Sequence, residues 1–202
     1  MSRLASSLVS RTLPSAMETA VKTWTEEELM RFPHEGCKCE LVDDELRLTR
    51  AGMDHALIGA SLAAQLGDYV ATHRLGIVCG PNLGCWMRSG NLRCADVSFI
   101  GVARTPRTAA AREGFFRGAP DLVVEIVESS DRPQRIGEKL AEYFASGARL
   151  AWVIDPAEKS AVAYRSPEQS RLLHVTDVLD GDDVLPGFRL PLAELFAELL
   201  LD

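Results

Sequence analysis

The chain has no apolar run near the ~18 residues that a membrane-spanning helix needs, so no transmembrane body is expected. It has no excess of basic residues. Its 22 Lys and Arg stand against 29 Asp and Glu, for a net charge of −7. That balance argues against a protein that coats nucleic acid irrespective of sequence, although one local basic patch on an enzyme stays compatible with it. The five cysteines, Cys37, Cys39, Cys79, Cys85 and Cys94, are odd in number and irregular in spacing, so they do not form a disulfide framework. Reduced thiols and a cytoplasmic setting are expected. Cys37-Lys38-Cys39 lies near His34, but two cysteines one residue apart suit a tetrahedral zinc site poorly. No G-x-G-x-x-G follows a strand, and there is neither a P-loop nor a G-x-S-x-G. Dinucleotide binding, Walker-type nucleotide binding and the hydrolase nucleophile elbow have no sequence support.

What is present is an ordinary globular composition, 47% hydrophobic and 25% charged over 202 residues, enough for one domain. Residues 1–22 are rich in Ser, Ala and Arg. They are expected to be a flexible tail, with a targeting peptide or an over-long start before Met17 as the other readings. Residues 23–202 are expected to be a single domain. Thr25 with Glu26, Glu27 and Glu28 makes a capping box. Cys39 to Thr49 reads as a hairpin turning at Asp43-Asp44. Asp54 is expected to cap a helix running to about His73, with Leu57, Ile58, Leu62, Leu66 and Val70 on its apolar stripe. Strands are expected at 77–79, 85–88 and 95–101, a loop over 105–118, and further strands at 161–165 and 172–176.

The most informative stretch is Ala119 to Pro156. Leu122-Val123-Val124-Glu125-Ile126-Val127 is a nearly unbroken apolar strand, the kind covered on both faces, with a carboxylate inside it. A helix follows from Pro133, which fits a first helical position, to about Ala145, and Gly147 ends it. Its stripe of Ile136, Leu140, Tyr143 and Phe144 also contains Lys139. A second apolar strand, Leu150 to Ile154, ends at Asp155-Pro156. An ionised Glu in such a strand is costly unless paired, hydrogen-bonded or bound to metal, and Lys139 poses the same problem on the next element. Opposite ionisable groups in that setting point to an active site.

Asp96, in Cys94-Ala95-Asp96-Val97-Ser98, precedes Glu125 by one strand. Two carboxylates on neighbouring strands suit a hard divalent cation, which can activate water and neutralise phosphoryl charge. Lys139 then either stabilises the transition state or only pairs with a carboxylate. Asp121 shares the face of Glu125 by period two and reads as supporting or structural. Between the two strands, Arg104, Arg107, Arg112 and Arg117 stand against the single acid Glu113. They are either phosphate contacts or a solvated loop.

These residues resemble a variant of the PD-(D/E)XK nuclease superfamily in which Val127 holds the usual lysine position and Lys139 is the relocated lysine. More closely, the chain resembles the Uma-two family of restriction-endonuclease-like proteins. The resemblance runs through Cys39-Glu40-Leu41-Val42-Asp43, His55, Ala95-Asp96-Val97, Gly118-Ala119-Pro120-Asp121-Leu122-Val123-Val124-Glu125, Lys139-Leu140, Trp152-Val153-Ile154-Asp155-Pro156 and Leu185-Pro186-Gly187-Phe188. It covers about residues 24–196. The chain departs from the family pattern at Asp44, Glu128, Arg135 and Leu150, none of which removes Asp96, Glu125 or Lys139.

The resemblance implies an α/β, restriction-endonuclease-like mixed sheet flanked by helices, with extra N- and C-terminal β-strands. It implies catalytic Asp96, Glu125 and Lys139, with Mg²⁺ or Mn²⁺ on Asp96 and Glu125, and Glu40, His55 and Asp121 in support. It further implies a homodimer that hydrolyses DNA phosphodiesters by in-line attack of metal-bound water. A catalytically silent module of the same fold and a hydrolase of small phosphoesters are the competing expectations.

Overall fold

The computed structural model describes residues 23–33, 36–128 and 131–200. The expected tail at 1–22, His34, Ser129 and Ser130 lie outside the described residues. Helix α1 (Glu26–Arg31) begins with the expected capping box, Thr25 and Glu28 each satisfying the other's backbone N–H. Strands β1 (Lys38–Val42) and β2 (Glu45–Thr49) form the expected hairpin. Its two turn residues, Asp43 and Asp44, both have positive φ, 51° and 64°. Paired left-handed residues match the twist of a two-residue hairpin, and Asp adopts that conformation at low cost.

Helix α2 (Met53–His73) buries Ile58, Leu62, Leu66 and Val70. Its start differs from expectation. Gly52, not Asp54, is the N-cap, and no side chain from the helix caps it. The carboxylate of Glu128 accepts the Gly52 N–H at 2.8 Å, so a residue distant in sequence secures this end. Then come β3 (Gly76–Cys79), β4 (Gly84–Trp86), β5 (Leu92–Cys94), β6 (Val97–Gly101), β7 (Phe116–Arg117) and β8 (Leu122–Ile126). The strand expected at 95–101 begins at Val97, with a separate strand, β5, before it across the break at Ala95-Asp96, and the 105–118 loop contains a 3₁₀ turn at Ala110–Arg112 and the short β7. Helix α3 (Pro133–Ala145) and β9 (Leu150–Asp155) match expectation closely. After them follow β10 (Ser160–Ser166), β11 (Gln169–Leu173), β12 (Val178–Asp180), β13 (Arg189–Pro191) and α4 (Leu192–Leu195). The pair β12–β13 has no counterpart in the sequence reading, because each strand is only three residues long.

The main sheet has the order β11-β10-β9-β8-β6-β3 and a second sheet the order β2-β1-β5-β4-β7. Both are mixed: β8–β9 and β4–β7 are parallel and the remaining pairs antiparallel. Helix α3 makes the crossover that two parallel strands require. Every residue of β8 is buried. On one face Leu122, Val124 and Ile126 pack in a core with the α2 stripe, Trp152 and the C-terminal Leu190, Leu195 and Phe196. On the other face Val123 and Ala151 pack with Leu140 and Tyr143 of α3. Glu125 shares the face of Val123 by strand alternation, so it emerges under α3, where β1 and β5 of the second sheet also approach. Among the described residues no helix is long and apolar enough to cross a membrane.

Candidate active site

Glu125 is 3% exposed, and both its oxygens are satisfied. Tyr143 donates its hydroxyl to Oε1 at 2.8 Å. Lys139 donates to Oε2 at 2.7 Å, and Lys38 donates to the same oxygen at 3.3 Å. The helical stripe explains the first two contacts: Lys139 and Tyr143 are four residues apart and lie on one face of α3. Tyr143 is a core residue, as expected, and is also a direct partner of the carboxylate.

Asp96 occupies the break between β5 and β6. Its N–H donates to the Val124 carbonyl, and its Oδ2 accepts the Ile126 N–H at 2.8 Å. The side chain thus continues the β6–β8 pairing where the strand itself stops. His55 Nε2 lies 3.2 Å from Oδ2, reaching down from the first turn of α2. The other oxygen, Oδ1, meets Lys38 Nζ at 2.6 Å. Lys38 is therefore shared by both carboxylates.

Glu40, two residues from Lys38 and on the same face of β1, completes the cluster. Its Oε1 accepts the Cys94 N–H at 3.0 Å and lies 3.2 Å from Lys139 Nζ. Its Oε2 is 3.6 Å from Arg93, which is 4% exposed and also pairs with Glu142 of α3. The result is a continuous line of alternating charge: Glu142, Arg93, Glu40, Lys139, Glu125, Lys38, Asp96, His55. Each buried charge has an opposite neighbour, the condition under which buried ions are tolerated.

The environment reinforces these charge states. Burial pushes the Lys38 ammonium towards deprotonation, but Glu125 and Asp96 beside it outweigh that and hold it above the usual lysine range. Burial pushes the Asp96 carboxyl up, yet the His55 hydrogen bond and the Lys38 charge hold it well below the usual carboxylate range. Burial likewise raises Glu40, and Lys139 and Lys38 bring it below its ordinary value. Burial lowers His55, and its hydrogen bond to Asp96 lifts it above the ordinary imidazole value. Burial, with Glu125 adding to it, drives the Tyr143 hydroxyl well up, so it remains a donor.

The cluster opens into a cavity of about 740 Å³ lined by Lys38, Glu40, His55, Asp96, Glu125 and Lys139. Arg47, Arg50 and Arg135 also line it. The structure thus brings together Asp96, Glu125, Lys139, Glu40 and His55. Asp121 is elsewhere. It stands just before the opposite end of β8, where its carboxylate accepts the Gly101 N–H at 2.8 Å and pairs with Arg104 at 3.2 Å. Its part is structural: strand alternation gives its face but not its distance from Glu125. The four loop arginines do not line the cavity either. Arg104 is tied to Asp121 and the Ala119 carbonyl and lies over Phe116, while Arg117 pairs with Glu26 and lies over Trp86. Arg107 and Arg112 are exposed.

The sequence reading missed Lys38 and Arg93. Lys38 had a usable signal, since any role for Glu40 carries the residue two positions away to the same face. Arg93 had another, a charge inside the apolar run Leu92-Arg93-Cys94-Ala95, the same kind of anomaly that singled out Glu125.

A divalent cation can be tested against this donor set. Among the described residues no three His, Cys, Asp or Glu side chains form a metal-binding group. Asp96 Oδ1 and Glu125 Oε2 nevertheless converge on one cation, the Lys38 ammonium. Two carboxylates completed by water and substrate oxygens are what magnesium accepts. The donor set fits a hard cation of that kind. All five cysteines are free, so none is tied up in a disulfide.

Comparison with known proteins agrees with this fold. The family model Uma2, described as "Putative restriction endonuclease", matches residues 26–193. No curated protein sequence matches the chain. Among solved structures, the chain is similar to the crystal structure of a "putative nuclease belonging to DUF820" from Anabaena variabilis ATCC 29413. The TM-score is 0.74 and the identity 19%, over 88% of this chain and 100% of that one, a likeness of fold.

Proposed function

We propose that this chain, which belongs to the Uma2 (Uma-two) family, is a nuclease that hydrolyses DNA phosphodiester bonds with Mg²⁺ or Mn²⁺ held by Asp96 and Glu125. The observation that carries the reading is the convergence of Asp96 Oδ1 and Glu125 Oε2 on a single cationic centre at the wall of an open cavity. When bound there, the cation would activate a water and offset charge on the reacting phosphate.

The chain's own residues supply the rest. Tyr143 and the Ile126 N–H hold the two carboxylates in register, each through the oxygen that does not face Lys38. Lys139, anchored on Glu40 and Glu125, presents a fixed positive charge beside the reacting group, and such preorganised charge costs no reorganisation when the transition state forms. His55 orients Asp96 and, on the cavity wall, can hold or release a proton at Nε2. Arg47, Arg50 and Arg135 are the side chains suited to flanking phosphates. A homodimer would provide one such site per strand of a duplex.

A second reading has its own support. The alternating line of charge already neutralises Asp96 and Glu125 without a metal, as a catalytically silent binding module of the same fold would require. Plasmid nicking with and without Mg²⁺ or Mn²⁺ separates the two. Metal-dependent nicking that disappears in Asp96→Asn and Glu125→Gln supports the nuclease. Absence of nicking, together with absence of metal binding by calorimetry, supports the silent module.

A further inference from the structure

Each site carboxylate turns one oxygen towards Lys38 and the other away from it. Asp96 Oδ2 accepts from the Ile126 N–H and faces His55, and Glu125 Oε1 accepts from Tyr143. The oxygens that face a shared ligand are Asp96 Oδ1 and Glu125 Oε2; Lys38 Nζ holds both, at 2.6 and 3.3 Å, and Lys139 also holds Oε2, at 2.7 Å. An ion bridging the two carboxylates on the side where they converge uses those same two oxygens. A magnesium–oxygen bond is about 2.1 Å, so the ion would lie within the space the ammonium fills. Two cations cannot share that position.

We propose that Lys38 is a resident internal cation that a divalent ion must displace, so that metal entry and release of Lys38 into the cavity are one exchange. The inference deepens the metal-dependent reading and rests on it. Lys38 can leave because it lines the cavity and stands on a flexible four-carbon stem at the first residue of β1. Lys139 shares Glu125 Oε2 but does not touch Asp96, and it stays because its second bridge, to Glu40 at 3.2 Å, does not pass through the exchanged position. The displaced ammonium then stands in the cavity, where a substrate phosphate would meet it. Without metal the two carboxylates remain neutralised, and the fold does not carry an unpaired buried pair.

Two measurements test this on the full-length protein. The chain has four lysines, Lys22, Lys38, Lys139 and Lys159, so reductive methylation read by peptide mass spectrometry resolves each one. Saturating Mn²⁺ should raise labelling of Lys38 at least about fivefold and leave Lys139 unchanged, with Lys159 as the reference. In calorimetry, Lys38→Met should bind Mn²⁺ at least about tenfold more tightly than wild type, because a like charge at the site is removed. Metal binding with Lys38 still shielded, or equal affinity in wild type and Lys38→Met, overturns the exchange while leaving the metal reading intact. No Mn²⁺ binding by either protein overturns both. The labelling arm uses only wild type and stands even where the variant folds poorly.

Discussion

Lys38 and Lys139 reach the same oxygen of Glu125, Oε2, at 3.3 and 2.7 Å, from two different elements. Lys38 comes from the first strand and Lys139 from the helix that follows Glu125. The two ammoniums are not equivalent. Lys38 is also bound to Asp96, and Lys139 to Glu40. Removing one should therefore not reproduce the effect of removing the other.

For Lys139 we expect the loss to fall on the chemical step. Lys139→Met keeps the stem and should still bind Mn²⁺, yet cleave at least ~10²-fold more slowly, the scale of losing one preorganised electrostatic partner. Single-turnover cleavage beside metal calorimetry checks this. Loss of metal binding in step with loss of cleavage would instead make Lys139 a scaffold for Glu125.

The carboxylates should behave differently. Asp96→Asn and Glu125→Gln should each abolish Mn²⁺ binding while the circular dichroism spectrum stays native. Unchanged affinity in both variants would dispose of the site.

Tyr143 is fully buried, and its hydroxyl has Glu125 as its partner. Tyr143→Phe should cost about 1–3 kcal/mol, the scale of leaving a buried acceptor one donor short. Urea denaturation measures it, and a variant as stable as wild type would show that water replaces the hydroxyl.

Arginine recognition of DNA should belong to the cavity and not to the 104–117 loop. Arg47→Ser, Arg50→Ser and Arg135→Ser together should weaken binding and lower the salt slope by about 0.9 for each phosphate no longer neutralised. Arg107→Ser with Arg112→Ser should leave that slope unchanged. The reverse pattern, read by fluorescence anisotropy over a salt series, would restore the loop as the binding surface.

Glu26 gives a pH prediction away from the site. Its carboxylate accepts from the Phe115 N–H at 2.9 Å and Trp86 Nε1 at 3.0 Å and pairs with Arg117. The Phe115 hydrogen bond leads in holding its carboxyl below the ordinary value of 4.5, against the opposing pull of burial. A carboxyl lowered in the folded state adds stability above its ordinary value and loses it as pH falls through the folded one. Stability should thus decline below about pH 4.5 more steeply in wild type than in Glu26→Gln. Parallel acid limbs in the two proteins would show that Glu26 has no part in the acid response.

The central elements were legible because their signals are local. The capping box at Thr25, the Asp43-Asp44 turn, the α2 stripe and the strand–helix–strand unit around Glu125 each follow from a few adjacent residues. What the sequence did not disclose depends on partners far along the chain. Glu128 replaces Asp54 in securing α2, Asp96 interrupts a strand to bind Ile126, and Arg104 is drawn to Asp121. Periodicity assigns a face, as it did for Asp121. It does not say which other segment meets that face, and that is how Lys38 and Arg93 escaped notice.

The line of alternating charge joins residues 38 and 40 to residues 93 to 142, so its timing during synthesis is constrained. When Lys38 and Glu40 leave the ribosome, their partners do not yet exist, and at ~5–20 residues per second about 100 further residues take several seconds or more. Until Lys139 emerges, Glu125 has no helix over it and Glu40 no ammonium to hold. The chemistry of the site is thus acquired late, when the whole domain is in hand. A chain cut short before α3 would carry both carboxylates but lack Lys139 and Tyr143, the two side chains that hold Glu125 from the helix.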